Sequence, residues 1–102
     1  MNKLIRDGKV AVLISPGFGA GWYSWHCKEE LLFDPVVVEM LLESQHDEIE
    51  SYVEKTYGDD FYLGGVDGLT VVWVSEGAEF RIKEYDGAES LVLKEEDYWI
   101  KA

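Results

Sequence analysis

The hydrophobic pattern of this chain changes period near residue 58, and nothing else in it constrains the fold as much. Residues 34–57 repeat apolar side chains at helical spacing, whereas residues 69–94 alternate them as strands do. Asp34-Pro35 reads as a helix start, with Asp at the N-cap and Pro in the first turn. Val36 to Ser44 then predicts an apolar helix in which Val36, Val37, Met40 and Leu41 form a stripe that Val38 and Leu42 widen, so most of it should be buried. Ser44 and Asp47 resemble a capping box opening a second helix over 47–57. There Ile49, Tyr52, Val53 and Tyr57 share a face, and Gly58 is placed to end it.

On either side of these helices the sequence reads as strands. Residues 9–15 form a short apolar run behind the Asp7-Gly8 turn, with residues 3–6 placed to pair across it. Phe61-Tyr62-Leu63 is a short segment between Asp59-Asp60 and Gly64-Gly65. Leu69–Ser75, Glu79–Tyr85 and Ser90–Lys94 follow, Tyr98–Lys101 can add a last strand, and Glu76-Gly77 and Asp86-Gly87 are hairpin signals. Residues 70–74 are apolar on both faces, which predicts a central strand. The expected fold is α+β: an antiparallel sheet of about four to five strands with two helices on one face, in the order β-α-α-β-β-β(-β). One domain over residues 1–102 accounts for the whole length.

A net charge of −12 excludes a direct nucleic-acid partner, because phosphate binding needs basic clusters. The charge serves either solubility or the presentation of an acidic face to a basic protein. No apolar run approaches a membrane span, and Met1–Gly8 carries no signal-peptide pattern. Cys27 is the only cysteine, which fits a reducing cytoplasm and excludes an internal disulfide.

Residues 15–26, Ser-Pro-Gly-Phe-Gly-Ala-Gly-Trp-Tyr-Ser-Trp-His, hold the candidate site. Glycine allows close backbone approach, and aromatic side chains add flat faces with polar edges. Gly17, Phe18, Gly19, Gly21, Trp22, Tyr23, Trp25 and His26 are therefore the expected ligand-binding residues. The glycines would bring backbone donors, Trp22, Tyr23 and Trp25 would stack, and His26 would hydrogen-bond. A small, nucleotide-derived ligand suits this chemistry. It would require Arg6, Lys28, Arg81 or Lys83 nearby to balance phosphate charge. On this reading Trp22→Ala abolishes binding and leaves the fold intact, while Trp73 belongs to the core. The bland alternative is a connection whose aromatics fill the core.

Other constellations carry less. The third glycine falls one residue early for a dinucleotide fingerprint, and Trp22 sits where a helix should open. Cys27, His26 and His46 lack zinc spacing, and no spacing pairs Cys27 with a catalytic base. Glu84 with Asp86, and Asp59 with Asp60, converge with nothing further. Tyr52, Tyr57, Phe61 and Tyr62 make either an exposed patch or helix packing. No enzyme, cofactor or metal is expected.

The segments Lys3–Gly8, Ser15–Tyr23 and Glu84–Gly87 resemble those of small, acidic, uncharacterised proteins of tailed bacteriophages, over most of the chain. The resemblance implies an accessory protein in the host bacterial cytoplasm that counters host defence, by sequestering a nucleotide signal or blocking a defence enzyme. It gives no residue a role. The leading expectation is a non-enzymatic binding protein for a small ligand, with its pocket completed in a homo-oligomer. The alternative is an acidic interaction protein that inhibits a basic, nucleic-acid-binding host protein.

Overall fold

The computed structural model describes residues 3–17, 21–24, 26, 28–58 and 64–94. Strands β1 (Ile5–Arg6) and β2 (Lys9–Ile14) are followed by helices α1 (Glu30–Phe33), α2 (Pro35–Leu42) and α3 (His46–Tyr57). Strands β3 (Thr70–Ser75), β4 (Phe80–Tyr85) and β5 (Ala88–Leu93) complete the order. The fold is α+β, as the change of period predicts. The strands, however, form two antiparallel sheets, β1-β2-β3 and β4-β5.

Two Asp-Gly turns set both hairpins. Asp7 and Gly8 have φ of 52° and 74°, and Asp86 and Gly87 have φ of 51° and 84°. Two successive left-handed residues make the turn whose twist matches a two-residue hairpin, and Asp is among the few non-glycine residues that accept it. The expected third hairpin, at Glu76-Gly77, is instead a corner. Its Ala78 amide donates to Ser75 O and its Glu76 amide to Gly8 O, and it carries the chain from β3 in one sheet to β4 in the other.

That corner creates three layers. In β2, Ala11 and Leu13 pack toward Leu31, Val37, Val38, Ile49 and Val53 of the helices. Val10, Val12 and Ile14 pack on the opposite face with Leu32, Phe33, Phe80, Ile82, Leu91 and Leu93. Alternation along a strand produces this division, and the antiparallel register repeats it in β3, where Val71 and Trp73 face the helices and Val72 and Val74 face the hairpin. The central strand is β2. The expectation that residues 70–74 lie centrally is corrected: β3 is apolar on both faces because a layer covers each side, while among the described residues it pairs only with β2. Trp73 is half-buried, with the Arg6 guanidinium 6.0 Å from its ring centroid.

The helices depart from expectation at their junctions. Asp34 does cap α2, accepting from the Val36 amide at 2.9 Å and the Val37 amide at 3.3 Å. The helix stops at Leu42, however, and Val36 and Leu42 are exposed. Ser44 is not an N-cap. It takes a left-handed φ of 61° and donates to Leu41 O, closing α2, while Gln45 occupies the cap of α3 without a side-chain bond. Tyr52 and Tyr57 are half-buried and belong to packing, not to an exposed patch. The short helix α1 is absent from the sequence reading; its Leu31 serves one core and its Leu32 and Phe33 the other. Phe61–Leu63 and Tyr98–Lys101 lie outside the described residues.

Candidate functional site

The glycine-aromatic loop lies between β2 and α1 in the chain, and its described residues Ser15, Tyr23 and Ser24 meet the β4–β5 hairpin. What holds it there is Glu89, at the start of β5. Its side chain is 2% exposed. One oxygen accepts from the Ser15 amide at 2.9 Å. The other accepts from the Tyr23 amide at 2.8 Å, the Ser24 amide at 2.7 Å and the Ser24 hydroxyl at 2.8 Å. The Glu89 amide in turn donates to Ser15 O at 2.8 Å. A buried carboxylate is tolerated only when its lone pairs are occupied, and here four donors occupy them. The amides that bond this carboxylate belong to Ser15, Tyr23 and Ser24, and not to the glycines expected to bring backbone donors to a ligand.

Trp22 is 0% exposed, and its indole nitrogen donates to Leu31 O at 2.8 Å. The expectation that Trp22 stacks on a ligand is therefore corrected: neither ring face is open, and the indole fills the core beneath α1. Gly21 is buried beside it, and Gly17 is exposed with open space around it. Phe18, Gly19, Trp25 and Cys27 lie outside the described residues. His26 does hydrogen-bond, but to the loop itself: Nε2 lies 2.7 Å from Trp22 O, and Nδ1 accepts from the Lys28 amide at 3.0 Å. A ring nitrogen facing a carbonyl must carry the proton, so the neutral Nε2–H form fits both bonds. Burial, opposed by the Trp22 carbonyl, holds the His26 pKa below its ordinary 6.5.

Ser15 and Gly17 border a polar hollow beside His46, Asp47 and Glu50, whereas Tyr23 and Ser24 reach a larger concave surface. With Leu32, Phe33, Phe80 and Ile82 they line a groove of about 800 Å³ between the loop and strand β4. Its floor is apolar and aromatic, with Phe33 and Phe80 edge to face at 6.1 Å. Among the described residues its polar walls carry Glu29, Glu79, Glu84 and Arg81. Of the four basic residues proposed to balance a phosphate, Arg81 is the one that joins the loop here. Two of the chain's own ammonium groups already rest on groove residues. Lys3 Nζ stands 4.4 Å from the Phe33 ring centroid, and Lys94 Nζ 2.8 Å from Glu79.

A second polar cluster braces the helices. Asp34, 5% exposed, accepts from Tyr52 Oη at 2.9 and 3.1 Å and from Tyr57 Oη at 2.5 Å, besides capping α2. Burial, followed by the Asp34 carboxylate, pushes the Tyr57 pKa far above its ordinary 10.0, and the same causes raise Tyr52.

The site offers a hydroxyl, an imidazole and a carboxylate close together, in an order unlike a nucleophilic triad. Ser24 Oγ donates straight to Glu89, and both His26 nitrogens serve backbone groups. Among the described residues no group of three or more His, Cys, Asp or Glu stands close enough to hold a metal. No helix among them is long and apolar enough to cross a membrane.

Glu89 could have been found from sequence. Leu91 and Leu93 face inward, and extending their strand by one pair to Ala88 puts Glu89 on the same side. Starting that strand at Ser90 hides it. Comparison with protein-family models, curated proteins and solved structures finds no match to this chain.

Proposed function

We propose that this chain is a non-enzymatic binding protein whose groove between the Tyr23–Ser24 loop and β4 takes a positively charged segment of a partner protein. The observation that carries this reading is the pairing of an apolar, aromatic floor with carboxylates at Glu29, Glu79 and Glu84. A lysine or arginine side chain matches both, since its stem packs on rings and its head group meets acids. The chain's own Lys3 and Lys94 display those contacts singly, one on Phe33 and one on Glu79. Net charge −12 adds long-range attraction for such a segment, and the phage resemblance makes a host protein the natural partner.

A nucleotide-derived ligand is the weaker reading. Trp22, one of its three expected stacking residues, lies in the core, and the carboxylates of Glu29, Glu79 and Glu84 in the groove repel phosphate.

The test is affinity for a short synthetic peptide alternating lysine and leucine, against its glutamate–leucine counterpart. The lysine peptide should bind, weaken as salt rises, and weaken several-fold for Glu29→Lys and Glu84→Lys. Equal binding of both peptides, or indifference to both charge reversals, would sink the proposal.

A further inference from the structure

We infer that the amides of Ser15, Tyr23 and Ser24 and the Ser24 hydroxyl form a carboxylate-binding nest, that Glu89 is its built-in ligand, and that the vacated nest binds a small free monocarboxylate. This goes beyond the proposed function, because it concerns a different pocket of donors and the opposite ligand charge.

Four donors converge on one carboxylate at 2.7–2.9 Å, three of them main-chain amides. Successive amides at Tyr23 and Ser24 aim at the same oxygen, Oε2, which is how backbone nests hold anions without a basic side chain. Ser15 arrives from β2 and takes the other oxygen, so donors distant in sequence enclose a single group. The carboxylate reaches them from the hairpin layer, whereas the donors belong to the loop and the sheet. Glu89 is therefore a ligand carried in cis, and it latches the two walls of the groove: Tyr23 and Ser24 on one side, β4 on the other. On the same hairpin face the register sets Glu84 opposite Glu89. Like charges across a strand pair oppose each other, so the hairpin gains nothing from Glu89 unless the nest receives it. Glu84 turns instead to the Gly87 amide.

The steric match defines the ligand class. Truncating Glu89 to alanine keeps Cβ and removes a methylene and a carboxylate. Acetate supplies a methyl and a carboxylate of the same size.

The experiment is chemical denaturation of wild type, Glu89→Ala and Glu89→Gln in sodium acetate and in sodium chloride at matched ionic strength. Acetate should raise the Glu89→Ala midpoint progressively above chloride, as a ligand specific to the folded state does, and should leave wild type and Glu89→Gln, whose nests are filled, unmoved. An equal effect of both salts on Glu89→Ala, or an equal acetate effect on wild type, overturns the inference. Should Glu89→Ala stay unfolded throughout, amide exchange in Glu89→Gln decides. Faster exchange at Ser15, Tyr23 or Ser24 than in wild type supports the nest, and wild-type rates at all three overturn it.

Discussion

Asp34 joins three structural elements through one side chain, and its removal can be worked through. Asp34→Ala deletes the acceptor for the Val36 and Val37 amides, the cap of α2. Losing such a cap costs about 0.5–2 kcal/mol. It also strips the acceptor from two tyrosine hydroxyls, Tyr52 and Tyr57. A hydrogen bond to a carboxylate contributes about 1.5–3 kcal/mol, but half-buried tyrosines recover part of that from water, so the whole loss should be about 3–5 kcal/mol. Asp34→Asn should cost much less, because Oδ1 keeps the cap and the amide hydrogens can meet hydroxyl oxygens. The decisive comparison is a cycle with Tyr57→Phe. In wild type that change removes a bonded hydroxyl; beside Asp34→Ala it removes one already deprived of its acceptor. The two losses should therefore fall short of additivity by about 1–3 kcal/mol. Urea unfolding followed by tryptophan fluorescence measures all four corners. Additivity within about 0.5 kcal/mol would refute the reasoning.

Further outcomes follow from the same contacts. Trp22→Ala should destabilise by about 3–5 kcal/mol, through the cavity and the orphaned Leu31 carbonyl, and a thermal melt by circular dichroism checks it. Folded His26 titrates below 6.5, so between its folded pKa and 6.5 the unfolded chain binds a proton that the folded chain refuses. Stability should thus fall as pH drops through that window, and His26→Gln should flatten the fall in unfolding curves taken at stepped pH. Tyr57 titrates above its ordinary 10.0, so its contribution is complete below pH 10.0 and declines as pH rises further. Alkaline unfolding of Tyr57→Phe should lack that part of the decline.

Local rules were legible where neighbours in sequence settle the outcome. Asp7-Gly8, Asp86-Gly87 and Asp34-Pro35 each place a turn or a cap through their own backbone preferences. Leu91 and Leu93 give the inward face of β5 by alternation alone. What escaped was decided by distant partners. The corner at Glu76-Gly77 carries a hairpin signal but no record of which sheet the next strand joins, so three layers read as two. Ser44 suits an N-cap as well as a left-handed helix end, and the fold uses it as the latter. At the site, glycines and aromatics marked the loop correctly as unusual, yet composition cannot tell a tryptophan that stacks on a ligand from one that bonds Leu31. Glu89 lies 65 residues from Ser24, and nothing local shows that it fills the donors of that loop.

The central claim is that the groove, and not acidic surface at large, receives a basic segment. Backbone amide spectra of isotope-labelled protein, titrated with the lysine–leucine peptide, test it directly. The account predicts shifts concentrated at Tyr23, Ser24, Leu32, Phe33, Phe80 and Ile82, lost in Phe80→Ala. Shifts spread instead along the exposed carboxylates of α3, Glu48, Glu50 and Glu54, would mean diffuse charge attraction and would contradict it.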